Sequence, residues 1–186
     1  MKTLSRLALA ISLATFLIAC GQKGEEFPKP NSNPQPDAAS LENERKAIGT
    51  TLDSFNDAAA KADFDRYFGY FAEDAIFIGT DATENWDKKS FQVWAKPYFE
   101  KKTTWDFKSI ERHIFFDKTG NTAWFDELLD TQMKICRGSG VLSKQGNEWT
   151  IRQYVLSMTV PNDNVDAVVK IKAPIEDELI KKLNKE

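Results

Sequence analysis

An α+β fold, with three N-terminal helices laid over a strongly curved, mainly antiparallel sheet, is predicted by three features of this sequence. Leu41, Ile48, Leu52, Phe55 and Ala59 recur at helical spacing, which places them on one face of a long helix. From residue 105 onward the pattern changes to long extended runs separated by turn residues, among them Asp117-Lys118-Thr119-Gly120-Asn121 and Gln145-Gly146-Asn147. Several of those runs carry aromatics on both faces, so the concave side of the sheet is expected to face the helices and the convex side a partner or a tail.

The chain opens with a segment that does not belong to that fold. Lys2 and Arg6 precede a short apolar run from Leu7 to Ala19, too short and too close to the terminus for a spanning helix. It ends at Leu17-Ile18-Ala19-Cys20, which resembles the lipobox of bacterial lipoproteins, where the cysteine becomes the lipidated first residue. An ordinary secretory signal with a chance cysteine is the alternative. On the lipobox reading, residues 1–19 are removed and Cys20 carries acyl chains, more than one of which is needed for stable anchoring. Gly21 rather than an aspartate follows, which resembles outer-membrane sorting, facing the periplasm, in a host with two membranes. The expected address is therefore the bacterial cell envelope, with the membrane as a partner through the lipid.

Residues 20–39 read as a disordered tether. Phe27-Pro28-Lys29-Pro30-Asn31-Ser32-Asn33-Pro34-Gln35-Pro36 has no hydrophobic period and cannot bury enough surface to offset its ordering entropy. The formal charge of −3 falls to −5 once Lys2 and Arg6 leave with the signal, and no basic cluster is present. Nucleic acid and anionic headgroups are excluded as partners on that ground. With Cys20 lipidated, Cys136 stands alone in a predicted strand, where a small buried hydrophobe is expected rather than a disulfide or a nucleophile.

Residues 40–162 are the expected domain, long enough for one good core. Ser40 is read as the N-cap of the first helix, and Asp63 opens a shorter second one carrying Phe64, Tyr67, Phe68 and Phe71. Ala75-Ile76-Phe77-Ile78-Gly79 has strand composition. The loop after it, Gly79-Thr80-Asp81-Ala82-Thr83-Glu84-Asn85-Trp86, supports two readings: its two carboxylates, Asp81 and Glu84, and the Trp86 indole form the rim of a pocket, or Asp81 and Thr83 cap turns and Trp86 plugs the core edge. Asp87 caps a third helix with Phe91, Trp94, Ala95, Tyr98 and Phe99 inward, kinked or shortened by Pro97. Four long strands follow, Trp105–Phe116, Thr122–Asp130, Met133–Leu142 and Glu148–Val160. The first carries His113 and the second Trp124, Asp126 and Glu127.

This order of elements resembles the nuclear transport factor 2-like superfamily, and its SnoaL-like branch in particular. The residues that carry the resemblance are Phe77-Ile78-Gly79-Thr80-Asp81 with Glu84 and Trp86, then Ala123-Trp124-Phe125-Asp126-Glu127 and Arg137-Gly138-Ser139-Gly140-Val141-Leu142. Trp149-Thr150-Ile151 and Gln153-Tyr154-Val155-Leu156-Ser157 complete the set, up to Pro161-Asn162. The resemblance implies a cone-shaped sheet with a hydrophobic cavity and frequent dimerisation through the sheet, and it implies no one activity. Enzymes of the superfamily use an Asp, or an Asp/His pair, inside the cone; Asp126, Glu127 and His113 are the candidates for that role here, and none is assigned it. Strand alternation lets at most one of Asp126 and Glu127 look inward, and Arg137 is expected to pair with whichever acid faces it across the hairpin. The expected ligand residues are Asp81, Glu84, Trp86, Trp94, Trp124, Asp126, Arg137 and Tyr154.

The sequence has no Cys/His metal spacing, phosphate-binding glycine loop or nucleophile elbow, so neither a cofactor nor a metal is expected. Residues 163–186 form an extension in which Pro174 to Leu183 begins with proline and acids and ends in lysines, the signature of a short helix. Its stripe of Ile175, Leu179 and Leu183 is expected to dock on the domain or a partner. Three functions follow from these readings: an envelope lipoprotein binding a small, partly apolar ligand, an acid/base enzyme using one pocket carboxylate, or a protein-interaction module.

Overall fold

The computed structural model describes residues 36–185. The signal of residues 1–19, Cys20 and most of the tether lie outside the described residues.

Helix α1, Ala38–Ala60, begins at Asp37, whose carboxylate accepts the Ser40 N–H at 2.7 Å. The N-cap is thus Asp37 and not Ser40, because the ionised Asp37 carboxylate, three residues earlier, accepts the free Ser40 N–H. Ile48, Leu52, Phe55 and Ala59 form its buried stripe, as the spacing predicts. Ala62 turns the chain with φ 53°, and Asp63 caps α2, Phe64–Gly69. Strand β1 spans Phe71–Ile78, so Phe71 belongs to the sheet and not to the helix. A three-residue strand β2, Asn85–Asp87, pairs back on β1 before Asp87 caps α3, Lys88–Glu100. Pro97 sits in the last turn of α3, where its missing N–H does not stop the helix from reaching Glu100.

The long strands are β3 Lys108–Phe116, β4 Thr122–Thr131, β5 Lys134–Gln145 and β6 Glu148–Met158. They form a meander, and β1 joins its free side parallel to β6, giving the order β2-β1-β6-β5-β4-β3. The sheet is therefore mainly antiparallel, curved, and covered on its concave side by α1, α2 and α3, the predicted α+β cone. Gly120 and Gly146 take φ of 71° and 62° in the two turns that the sequence marks. At a bulge between Val141 and Leu142, β5 and β6 approach so closely that a Cβ on Gly140 would lie 2.1 Å from the Gln153 carbonyl oxygen.

Inside the cone the core is aromatic. Phe55 stacks on Tyr67 at 4.4 Å and Phe77 on Phe91 at 4.0 Å, so α1, α2, α3 and β1 are held by ring faces that bury large areas each. Cys136 is fully buried beside Thr131, as expected of a packing thiol. At the other end, Glu44 of α1 accepts the Trp149 indole N–H at 2.7 Å and pairs with Lys144, pinning α1 to β5 and β6.

Helix α4 spans Val165–Leu183, preceded by a 3-10 turn at Asn162–Asn164. Pro174 lies inside this helix and does not open it, because Val165 to Ala173 already suits a helix and a single proline removes only one hydrogen bond. The helix has no buried residue; Ile175 and Leu183 are 75% and 58% exposed, so the expected docking on the domain is not seen among the described residues. No described helix is long and apolar enough to cross a membrane.

Candidate functional site

The end of β1, the β1–β2 loop, α3, the segment before β3 and the β4–β5 turn enclose a pocket of about 260 Å³. Phe77, Trp86, Phe91, Trp94, Trp105 and Phe107 supply its rings, with Met133 and Leu156 beside them. Thr80, Glu84 and Gln132 are the polar side chains, and Glu84 is the one ionisable group in the lining.

The local folding of the loop explains why Glu84 points there. The Gly79 N–H donates to the Glu84 carbonyl at 3.0 Å, closing a tight loop, and the Asp81 N–H donates to Glu84 Oε2 at 3.2 Å. A Cβ on Gly79 would lie 2.1 Å from Glu84 Oε2, so the absent side chain at Gly79 is what lets the carboxylate fold against the strand end. Asp81 is exposed and accepts both the N–H and hydroxyl of Thr83, at 2.9 and 2.6 Å, which hold its carboxyl below the usual range. In this loop Glu84 and Trp86 line the pocket, while Asp81 caps the turn.

α3 places Phe91, Ala95 and Phe99 inward at spacings of four, which turns Trp94 and Tyr98 toward the rim. Trp94 is 38% exposed and Tyr98 41%, so neither is inward in the sense the aromatic stripe suggested. Trp94 stacks on Trp86 at 4.9 Å and lies 6.3 Å from Trp105, forming the mouth of the pocket.

The acid inside the cone is Glu127, which is 1% exposed. Its Oε2 accepts from Arg112 Nε at 2.9 Å and lies 2.7 Å from Nη2 as an ion pair, and the Tyr154 hydroxyl donates to Oε1 at 3.3 Å. Arg112 in turn reaches the Gly49 carbonyl at 3.1 Å and Asp53 at 2.9 Å on α1. Burial pushes the Glu127 carboxyl up, with the Arg112 guanidinium pulling against it. Burial and the adjacent Glu127 push the Tyr154 hydroxyl well up, so it stays a donor. This acid is committed to neighbours and is not among the groups that line the aromatic pocket. It fits the structural role of a paired acid better than that of a proton-transfer catalyst.

The SnoaL-like domain family matches residues 48–161, more than half of the chain. The chain belongs to this family. No curated protein matches it significantly. Solved structures of similar fold include a nuclear transport factor 2-like protein of unknown function from Pseudomonas putida, 13% identical, with a TM-score of 0.55 over 66% of this chain and 92% of that one. A proposed dehydratase from Streptomyces avermitilis is 11% identical, with a TM-score of 0.56 over 64% of this chain and 99% of that one. A proposed aromatic ring hydroxylase from Novosphingobium aromaticivorans is 14% identical, with a TM-score of 0.56 over 64% of this chain and 91% of that one. At such identities the likeness establishes the fold and carries no activity across.

Within the SnoaL-like domain, the remaining expected site residues divide between the two faces of the sheet. Tyr154 is inside, stacked on Phe77 at 5.7 Å and bonded to Glu127. Trp124, Asp126, His113 and Arg137 stand on the convex face, because the register pairs Phe115 with Trp124 and His113 with Asp126, one residue out of phase with Glu127. Trp124, Asp126 and Arg137 are thus not brought to the pocket with Glu84, Trp86 and Trp94. The expected pairing of Arg137 with a facing acid is corrected as well: Arg137 lies opposite Leu128 and Ser157, while Arg112 lies opposite Glu127.

His113 Nδ1 lies 3.2 Å from Asp126 and Nε2 3.3 Å from Glu111, and the Asp126 hydrogen bond is the main reason its pKa is raised. An imidazole titration by NMR is expected to show a midpoint above the ordinary histidine value, and Asp126→Asn to lower it; an unchanged midpoint in the variant would remove the pair. Since the folded value is raised, any stability it brings is present below the unfolded pKa and disappears as pH rises through the folded one.

Sequence reasoning missed Arg112, Trp105, Phe107, Gln132 and Met133. An available signal was the Asp117–Asn121 turn, which, with Phe116 set opposite Ala123, already places Arg112 opposite Glu127.

Proposed function

We propose that this protein is a lipid-anchored protein of the bacterial cell envelope whose SnoaL-like domain binds a small, partly apolar ligand in the aromatic pocket. The observation that carries the reading is the pocket itself: about 260 Å³ lined by six aromatic rings and three polar side chains, the composition of a small-molecule site. Binding is favoured over acid/base catalysis because the buried acid, Glu127, is gripped by Arg112 and Tyr154. The anchor rests on Leu17-Ile18-Ala19-Cys20 and the apolar run before it.

The test is native mass spectrometry of the intact protein extracted in mild detergent from its own host's membranes, followed by denaturation. An acylated chain beginning at Cys20, and a small molecule released on denaturation, are expected. A chain still carrying residues 1–19, or one that holds nothing, counts against the corresponding half of the proposal.

A second reading, self-association through the convex face, is favoured by one observation. Phe115 and Trp124 stack there at 6.0 Å and are 47% and 45% exposed, with Ile135 also open to solvent. A dimeric mass by light scattering is expected, with Trp124→Glu shifting the protein to monomer. An unshifted mass would show that the patch is not the contact.

A further inference from the structure

The pocket rings share an orientation that narrows the ligand class. Trp86 lies within 10° of parallel to Phe91 and 29° to Trp94, and Trp105 within 19° of Phe91 and 33° of Trp94. Ring faces within 33° of one another, like these, offer a flat ring a surface to stack on, whereas a globular group would cover them poorly.

The charge of the lining supplies the second constraint. Glu84 is the one ionisable residue there, and no basic residue lines the pocket. An anion would face both that carboxylate and the electron-rich indole faces. A neutral hydrocarbon would strip water from the carboxylate and return no hydrogen bond. A flat cation satisfies both, since positive charge is attracted to indole faces and to Glu84 together. The loop geometry reinforces this, because Gly79 and the Asp81 N–H hold the carboxylate in place before any ligand arrives.

We propose that the pocket selects a planar, positively charged nitrogen heterocycle of one or two rings, stacked on Trp94 and Trp86 with Glu84 as counter-ion. This rests on the small-ligand reading above and specifies its chemistry.

The test is calorimetric titration of the full chain in mild detergent with 1-methylquinolinium and with 4-methylquinoline, an almost isosteric base that is neutral at about pH 8. The cation is expected to bind at least about tenfold more tightly than the neutral ring. Glu84→Gln, which keeps an acceptor for the Asp81 N–H, is expected to erase most of that difference while leaving the melting temperature unchanged. Trp94→Ala, at the exposed rim, is expected to weaken both compounds.

Equal affinity for the two rings, or a preference that survives Glu84→Gln, overturns the cation assignment and leaves the small-ligand reading standing. Failure of both rings while native mass spectrometry finds another occupant does the same. Failure of both rings in a protein that is also empty when extracted overturns both readings.

Discussion

Arg112→Ala is expected to destabilise the domain by about 3–5 kcal/mol, because it leaves the Glu127 carboxylate buried without its cation. Arg112 is hydrogen-bonded and ion-paired to Glu127 and ties β3 to α1 through Gly49 and Asp53, so the substitution also unfastens the long helix. In thermal unfolding the loss corresponds to a fall of about 10–20 °C for a domain of this size. The variant should recover part of its stability as pH falls. Without Arg112 the folded pKa of Glu127 rises further above its unfolded value, so its contribution is present at low pH and lost as pH rises. Replacing both partners with apolar residues, Arg112→Met with Glu127→Leu, should return most of the lost stability, since breaking such a pair costs more than removing it. A single variant that melts with the parent would show that water reaches Glu127 and that the network is not closed.

Gly140→Ala should cost about 3 kcal/mol, the upper end for one added methyl group. The new Cβ would lie 2.1 Å from the Gln153 carbonyl oxygen and 2.9 Å from the Phe125 ring. Main chain cannot swing aside as a side chain can, so β5 and β6 would have to part where Gly140 faces Tyr154. Tyr154 holds Glu127, so the damage reaches the same network by another route. Gly146→Ala is the internal comparison. Its added methyl meets open space, and only the φ of 62° opposes it, for about 1 kcal/mol. Equal unfolding free energies for the two variants would mean that the bulge in β5 relaxes freely.

Periodicity in the sequence made the helices and the meander readable, since one apolar stripe on α1 and alternation on each long strand are statements about single elements. The same alternation showed that Asp126 and Glu127 face opposite ways. Which of them faces inward depends on strand pairing, a relation between elements that no single run contains. Arg137 was therefore matched with an acid it does not meet, while Arg112, across from Glu127, went unnoticed. β1 pairing with β6, nearly eighty residues away, leaves no local mark either, although it brings Phe77 beside Tyr154 and so shapes the pocket wall. Trp94 shows a further limit. Its place in an aromatic run suggests burial, and only the packing of Phe91, Ala95 and Phe99 reveals that it stands at the edge. Pro174 misleads in the opposite direction, because a residue that commonly opens helices is here carried in the middle of one.

Three of the five tryptophans, Trp86, Trp94 and Trp105, stand one after another across the pocket mouth with ring centroids 4.9 and 6.3 Å apart. Indoles this close hand excitation to one another faster than they emit it, so light absorbed by any of them leaves from whichever has the lowest excited state. Their near-ultraviolet transitions couple as well, so their circular dichroism bands take signs that depend on how the rings are turned against one another. The mouth thus carries its own optical label, and whatever stacks on those rings changes the colour and handedness of the signal without a dye.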